Sequence, residues 1–314
     1  MNDFSNKLQV IKNQVNSYNK PHKSFNEQIA LLKSRNLIIT NENYALLKLK
    51  HIGYYRLSAY FLPLQYKKDS EQRDKFLPNT TFEDILELYF FDTKLRRLIF
   101  EAIERIEIYL RTQIAYWHSS KYGAFGYLNK ESLKCNNNFF EQLIESITKE
   151  KERSRESFIN HFKEKYNSID LPIWAVVEVI SMSTLSKLYA SLKTEEQQKI
   201  VAPFKGISKD VFHNWFHSLT VVRNICAHHA RLWNKTLGIK FEVPRKKDIF
   251  RKMGSSNAKV FFALSVIVFI LESIGEELDF KNEIKNLLHL YPNIDLKAMG
   301  FIENWEKLEI WDVY

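Results

Sequence analysis

The fold class is decided by residues 82–117, FEDILELYFFDTKLRRLIFEAIERIEIYLRTQIAYW, whose apolar side chains repeat with the period of an α-helix. At 100° per residue, eight large side chains fall on one face of such a helix, namely Leu88, Leu95, Ile99, Ile103, Ile106, Leu110, Ile114 and Trp117. Thr81 precedes the segment as a capping residue. The pattern predicts a long helix that buries this face in the core.

A charged stripe lies on the flank of the apolar face. Glu104, Glu107 and Arg111 fall within roughly 60° of one another on the same projection. Glu107 and Arg111 stand four residues apart, so they can form an ion pair that supports the helix by about 0.2–0.5 kcal/mol. The alternative is that Glu107 or Glu104 reaches a neighbouring helix and orients a catalytic arginine there.

The composition favours helices throughout the chain. Its 314 residues include 8 glycines and 7 prolines, and 45% of them are apolar, which favours long helices with short connections around a sizeable core. Further helices are predicted at residues 24–35, 41–50, 138–166 (one or two helices), 173–192 and 210–234. We expect an all-α fold, with an N-terminal arm (1–23), an N-terminal helical region (24–80), a main helical domain (81–275) and a C-terminal helical extension (276–314).

Several features indicate a cytoplasmic protein. The N-terminus, beginning MNDF, lacks the apolar core and cleavage site of a signal peptide. The most apolar run, Val260–Leu271, is about 12 residues long, whereas roughly 20 are needed to cross a bilayer, so it predicts a buried core helix. The two cysteines, Cys135 and Cys226, fit neither a disulfide framework nor a zinc pattern. We therefore expect a reducing compartment and no membrane partner.

The segment VRNICAHHARLWN, residues 222–234, places an arginine, an amide and two histidines in the predicted helix 210–234. A helical projection gathers one buried stripe, made of Trp215, Leu219, Val222, Cys226, His229 and Trp233. The nearly opposite face is polar and carries His213, His217, Thr220, Asn224, His228 and Arg231. We expect His228 to be exposed and His229 to lie in the core, where it supports the site.

These residue types suit phosphodiester chemistry. The imidazole of His228 can carry a proton to or from a ribose hydroxyl, and the guanidinium of Arg223 can hold a phosphate with two hydrogen bonds. Asn224 stands four residues before His228, so its amide can orient the imidazole. Arg223 lies about 140° around the helix from His228, which favours a site completed by the second subunit of a homodimer.

The formal net charge of +9 is concentrated beside this segment. From Arg223 to Lys252 there are nine Lys or Arg residues and two acids, a surplus of seven positive charges. A solvated face is one explanation for such a run, and an RNA-binding surface is the other. The RNA contacts predicted here are Arg231, Lys235, Arg245, Lys246, Lys247 and His217.

A metal-dependent hydrolase is a further alternative. His213 and His217 have the i,i+4 spacing of a metal-binding pair, and His228 could be a third ligand. No glutamate stands on that turn to act as a base, however, and His228 lies about 16 Å further along the helix axis. We therefore expect no metal or other cofactor.

The segment IGYYRLSAY, residues 52–60, is dense in tyrosine. Tyrosine rings can stack on unpaired bases, but aromatic residues near a glycine also pack in cores, and packing is the favoured interpretation.

The ordered set of motifs resembles the Abi-like (abortive infection) family of the HEPN superfamily. Arg223-Asn224-x-x-x-His228 is similar to the R-x4-6-H signature of the superfamily, and the string continuing through Arg231-Leu232-Trp233-Asn234 is similar to the family. Further matching motifs are Gly53-Tyr54-Tyr55-Arg56-Leu57-Ser58-x-Tyr60, Thr81-Phe82-Glu83, Leu88-Tyr89-x-Phe91-Asp92-x-x-Leu95-Arg96, Ile106-Glu107-x-x-x-Arg111 and Leu171-Pro172-x-Trp174.

This resemblance implies an all-α, HEPN-type helical bundle with additional N-terminal and C-terminal helices. It further implies a homodimer and a metal-independent endoribonuclease that acts as a toxin in phage defence, with Arg223, Asn224 and His228 at the catalytic site. An antitoxin, either a small RNA or a protein, is an expected partner beside the RNA substrate. The alternative is a noncatalytic module that binds RNA or a protein partner, because some members of the superfamily do not cleave RNA.

Overall fold

The computed structural model describes residues 20–67, 69–166, 170–253 and 256–312. Within these ranges the structure is helical, and extended pairing is limited to isolated bridges. The α-helices are α1 (Phe25–Ser34), α2 (Glu42–Ile52), α3 (Tyr54–Ser58), α4 (Phe82–Tyr122), α5 (Asn137–Arg153), α6 (Ser157–Tyr166), α7 (Ile173–Val179), α8 (Met182–Ser191), α9 (Thr194–Val201), α10 (Lys209–Ala227), α11 (Asp248–Lys252), α12 (Val260–Ile274) and α13 (Phe280–Leu290). The prediction of an all-α fold is confirmed.

The chain forms two compact units, one within Met1–Tyr89 and the other within Phe90–Tyr314, and the division falls inside α4. The four domains expected from the sequence stay a prediction. Most of the arm expected at residues 1–23 lies outside the described residues, which begin at Lys20.

The first two helices begin at the residues that the sequence indicated. Ser24 forms a capping box with Glu27, since the backbone N–H of Ser24 donates to Glu27 Oε2 at 2.6 Å and the N–H of Glu27 donates to Ser24 Oγ at 3.3 Å. Asn41 caps α2 by accepting a 2.9 Å hydrogen bond from the N–H of Tyr44. Gly53 then separates α2 from α3 with a φ of 89°, a conformation that glycine adopts without strain.

The long helix α4 follows the predicted pattern and continues beyond Trp117 to Tyr122. Trp117 itself is only half-buried. The other seven members of the predicted apolar face are buried, namely Leu88, Leu95, Ile99, Ile103, Ile106, Leu110 and Ile114.

The single helix predicted at 173–192 is wrong, because α7 ends at Val179 and α8 begins at Met182. The break is held from outside the segment by Glu150. Its carboxylate accepts hydrogen bonds from the Ser181 N–H at 2.6 Å and from the Thr184 hydroxyl at 2.9 Å. Ser181 also caps α8 by accepting from the N–H of Thr184 at 3.3 Å. These contacts stabilise a new helix start, which local periodicity does not reveal.

The helix predicted at 210–234 also ends earlier, at Ala227, so that prediction is wrong over its last turns. His229 adopts a left-handed φ of 54°, and its N–H donates to the carbonyl of Cys226 at 3.0 Å. The N–H of Ala230 donates to the carbonyl of Ile225, also at 3.0 Å. This pair of bonds is a Schellman motif, which ends a helix and turns the chain away from it.

Two residues of this segment differ from their expected burial. His229 was predicted to lie in the core, yet it is exposed, because it stands in the turn rather than on the buried stripe. Thr220 was assigned to the polar face, yet it is buried and donates to the carbonyl of Phe216 at 3.0 Å. The prediction that His228 is exposed is confirmed.

Helix α12 is buried on every side, which confirms the core helix predicted at Val260–Leu271. The C-terminal segment covers it: the ring centroid of Phe261 lies 4.2 Å from that of Phe301 and 5.7 Å from that of Trp311. The indole N–H of Trp311 donates to Ser265 Oγ at 2.9 Å. Over the described residues, no helix has both the length and the apolar character needed to cross a membrane.

Candidate active site around Arg223 and His228

Arg223 lies near the end of α10 and is held in place by two residues of α4. Its Nε lies 3.8 Å from Glu107 Oε2, and its guanidinium carbon lies 5.4 Å from the ring centroid of Phe100. These contacts fix the direction of a long side chain that is still 34% exposed. Arg223 therefore presents a positioned positive charge to solvent.

Glu107 joins this arginine to a second one. The other oxygen of its buried carboxylate pairs with Arg111, and Arg111 Nη2 also donates to the carbonyl of Ile180 at 2.8 Å. The i,i+4 pair of α4 thus does more than support its own helix, because Glu107 reaches α10 and Arg111 reaches the break between α7 and α8. Glu104 is exposed, one turn earlier on α4.

Two adjoining cavities meet at Arg223, with volumes of 440 and 230 Å³. Both are lined by Glu107, Arg111, Glu178 and Arg223. The larger one extends to Arg153 and Ser181, and the smaller one to Phe100, Glu104 and Ile108. A phosphate bound in either cavity would lie near the positive charges of Arg223 and Arg111, but also near the carboxylates of Glu107 and Glu178. The cavities are therefore not uniformly basic.

His228 is the residue that follows the last turn of α10. Its backbone N–H donates to the carbonyl of Asn224 at 3.0 Å, which extends the helical bonding pattern by one residue. Both side chains are exposed, and in the described part of the chain no side-chain hydrogen bond joins them. The orientation of His228 by the Asn224 amide stays a prediction.

Arg223 and His228 are not brought together within one subunit. Because His228 continues the helical bonding of α10, the angle of about 140° between the two side chains still applies. Over the described residues no ion pair or hydrogen bond connects them, and His228 lines neither of the two cavities at Arg223. One chain therefore offers the two groups on different sides of α10.

Asp92 anchors the chain just beyond His228, a role that the sequence analysis did not assign. This carboxylate is 0% exposed and pairs with Arg96, one turn later on α4. It accepts hydrogen bonds from the backbone N–H of Leu232, at 3.2 Å to each oxygen, and from that of Trp233 at 2.6 Å. The available signal was a pair of opposite charges inside the apolar face of a core helix, where an unpaired charge is costly.

The side chain of Cys226 lies in this buried region. Burial raises the pKa of its thiol to about 12, with a smaller contribution of the same sign from Asp92 and an opposing one from Arg96. A thiol in this state is a poor nucleophile, so Cys226 serves the packing beneath the turn.

A comparison with known protein families shows the family to which the chain belongs. A sequence model described as Abi-like protein matches residues 47–234, which include Asp92, Glu107, Arg223 and His228. The chain belongs to the Abi-like protein family. Neither the curated proteins nor the solved structures give a match to it. Membership suggests a role in abortive infection, a form of phage defence.

The basic residues of this Abi-like protein that are predicted to bind RNA lie in several different environments. Arg245 and Lys246 are exposed and line a 580 Å³ cavity together with Ser208, Asp210 and Glu242, apart from the cavities at Arg223. Lys247 is half-buried, with its Nζ 5.2 Å from the ring centroid of Phe269. Arg231 and Lys235, in the turn after His228, are also half-buried. Their predicted contacts with RNA stay predictions.

His213 and His217 are exposed on α10 of the Abi-like chain. Desolvation by the surrounding protein lowers the pKa of His213, and the neighbouring His217 lowers it further. Among the described residues, no group of three or more His, Cys, Asp or Glu side chains is arranged to hold a metal ion.

Proposed function

We propose that this Abi-like protein is a metal-independent endoribonuclease of the HEPN type, in which Arg223 and His228 act on one phosphodiester. The observation that carries the proposal is the fixed position of Arg223. Its guanidinium is oriented by Glu107 and Phe100 while part of it stays open to solvent, so it can bind a phosphate without first being ordered.

His228 supplies the proton transfer in this mechanism. Its imidazole takes the proton of a ribose 2′-hydroxyl, the 2′-oxygen attacks the adjacent phosphorus, and the bond to the 5′-oxygen breaks. The leaving 5′-oxygen takes a proton from water, and the protonated imidazole returns its proton to the solvent. The products are a 2′,3′-cyclic phosphate and a 5′-hydroxyl. Arg223 stabilises the charge that develops on the phosphate oxygens, and such proton transfer contributes about 10²–10⁴-fold to the rate.

We further propose that the working site is formed by two copies of the chain. Arg223 and His228 of one chain lie about 140° apart on α10, and a two-fold axis brings the second pair opposite the first. The exposed side chains of Phe100 and Ile108, beside Arg223, supply an apolar surface that a partner subunit can cover.

The proposed biological setting is phage defence through RNA cleavage in the cytoplasm. Uncontrolled cleavage of RNA harms the cell that carries it, so a restraining antitoxin, either an RNA or a protein, is part of the proposal. Arg231, Lys235, Arg245, Lys246, Lys247 and His217 are the proposed contacts with the RNA backbone.

The activity is tested by incubating labelled RNA with the purified protein in EDTA. We expect wild type to cleave, Arg223→Ala and His228→Ala to be inactive, and the new 3′ ends to carry a cyclic phosphate. Cleavage that survives His228→Ala would overturn the mechanism. RNA binding without cleavage by wild type would instead indicate a noncatalytic RNA-binding module.

The shared site is tested by mixing the two inactive variants. Random exchange of subunits makes half of the dimers mixed, and each mixed dimer holds one site with both Arg223 and His228. A site formed between subunits therefore recovers about a quarter of the wild-type rate. A mixture as inactive as its components would show that both residues must come from one chain.

A further inference from the structure

Tyr55 is the most exposed of the large hydrophobic and aromatic side chains in the described residues, at 92%. Packing explains the other tyrosines of the same segment. The hydroxyl of Tyr54 accepts a 3.1 Å hydrogen bond from Arg35 Nη1, and Tyr60 is 2% exposed with its ring centroid 5.6 Å from that of Tyr89. Tyr55 has no such contact among the described residues, so packing does not account for it.

The backbone beneath Tyr55 is ordered by its neighbours. Gly53 starts α3 directly after α2, and Leu57 anchors the short helix in the core, where it is 0% exposed. The hydroxyl of Ser58 donates to the carbonyl of Tyr55 at 2.7 Å. The ring therefore projects from a fixed helical turn with both of its faces accessible, and little backbone entropy is lost when it binds a planar ligand.

The sequence around Tyr55 carries a surplus of positive charge. From Asn43 to Lys67 there are four Lys or Arg residues and no Asp or Glu. Burial raises the pKa of the neighbouring Tyr54, Arg35 lowers it and Asp74 raises it, so one charge of each sign lies near that ring. The basic side chains nearest to Tyr55 in the chain are exposed, namely those of Lys50, His51 and Arg56. The acidic residue just before this stretch, Glu42, is paired with Lys33. An anionic partner is thus favoured, and a second copy of the same surface is disfavoured by repulsion.

We propose that Tyr55 and Lys50 form a second binding surface, one for single-stranded nucleic acid. An unpaired base stacks on the ring of Tyr55, and a flanking phosphate is neutralised by Lys50. Duplexes are excluded from this mode because their bases already stack on one another. The surface belongs to the first unit of the chain and does not depend on whether Arg223 and His228 cleave RNA.

The test measures the affinity of the full-length protein for a short single-stranded 2′-O-methyl RNA. This probe lacks the attacking hydroxyl, so binding is measured separately from cleavage. We expect Tyr55→Ala to weaken binding by about 5- to 100-fold, which is the usual contribution of one stacked base, and Tyr55→Phe to bind like wild type. Lys50→Gln is expected to reduce the slope of log affinity against log salt by about 0.7.

The control is Tyr116→Ala, which removes another exposed tyrosine, at 60%, from α4 in the second unit. It should bind like wild type, and a matched duplex should bind Tyr55→Ala and wild type equally. The proposal is overturned if Tyr55→Ala binds the single strand as tightly as wild type, or if Tyr116→Ala weakens binding to the same extent. Cleavage by wild type together with unchanged binding by Tyr55→Ala would overturn this proposal alone, whereas binding that depends on Tyr55 in a protein that does not cleave RNA would overturn the nuclease proposal alone.

Discussion

The carboxylate of Asp92 accepts a 2.6 Å hydrogen bond from the backbone N–H of Trp233, and thereby fixes the chain that follows His228. Arg96 balances the buried charge from the next turn of α4. The turn His228–Arg231 is thus held at two ends, by α10 before it and by Asp92 after it. The position of the candidate catalytic histidine depends on both.

Asp92→Asn should destabilise the protein markedly, because it leaves Arg96 buried without its counter-charge. We expect the free energy of unfolding to fall by about 3–5 kcal/mol in urea denaturation. Glu145→Gln is the matched control, since Glu145 and Lys149 form an i,i+4 pair that is exposed, and its loss should leave the stability nearly unchanged. Equal losses in the two variants would contradict the anchoring role of Asp92.

Glu107→Gln should reduce RNA cleavage by about ten- to a hundredfold, because a neutral amide holds the guanidinium of Arg223 more weakly. The measurement is the initial rate with labelled RNA, after thermal unfolding has shown that the variant is folded. Glu104→Gln removes an exposed carboxylate from the same cavity and should retain the wild-type rate. If both variants cleave like wild type, Glu107 does not position the arginine.

His229→Val should destabilise the protein by about 1–2 kcal/mol, since a β-branched residue is strained at a φ of 54°. His229→Gly should change stability much less, because glycine adopts this conformation freely. Thermal unfolding of both variants measures the difference. The opposite ranking would be expected of a helix that continues through residue 229.

The thiol of Cys226 predicts a dependence of stability on alkaline pH. Its folded pKa of about 12 lies above the ordinary value of 9.0, so its contribution is complete below pH 9.0 and is lost as the pH rises toward 12. Between pH 9.0 and 12, the free energy of unfolding should fall more steeply with pH in wild type than in Cys226→Ala. The two slopes should differ by about 1.4 kcal/mol per pH unit. Parallel pH profiles of the two proteins would rule this out.

In the native protein, iodoacetamide should modify the half-buried Cys135 before Cys226.

Trp311→Ala should cost about 3–5 kcal/mol of stability, because it opens a cavity over α12 and leaves Ser265 Oγ without its donor. Trp311→Phe retains most of the ring and loses one hydrogen bond, so it should cost about 1 kcal/mol. Urea denaturation compares the two. A Trp311→Ala variant as stable as wild type would show that the C-terminal segment does not seal this core.

Patterns with a regular period made most of the helices predictable. The apolar repeat of α4 and the capping residues Ser24 and Asn41 act within a few neighbouring residues, so the sequence displays them directly. The helix breaks after Val179 and Ala227 were missed for the opposite reason. Glu150, which accepts a hydrogen bond from the N–H of Ser181 at the start of α8, is far from Ser181 in sequence. The turn after α10 has His229 at the left-handed position, where glycine is the usual signal of a helix end.

The chemistry of the candidate site stays a prediction, and its geometry was only partly predictable from the sequence. Helical spacing correctly separated Arg223 from His228, because the two residues still follow the helical bonding pattern. It misplaced His229, one residue further, where that pattern ends. The contact of Glu107 with Arg223 was predicted as one of two alternatives, the other being that Glu107 only pairs with Arg111 and supports α4. The ion pair of Asp92 with Arg96 was signalled by its place on the apolar face of α4. The hydrogen bonds of Asp92 to Leu232 and Trp233 were not predictable, because they are made to backbone N–H groups, which every residue but proline has.

The contact from Asp92 to Trp233 closes a loop of 141 residues. Bringing such distant segments together costs about 4 kcal/mol in chain entropy, and contacts of high sequence separation form slowly. Arg223 sits within a local helix that can form early, whereas the turn with His228 is fixed only when both ends of this loop meet. We therefore expect the proposed nuclease activity to appear among the last events of folding, so that a nascent or partly folded chain does not cleave the RNA around it.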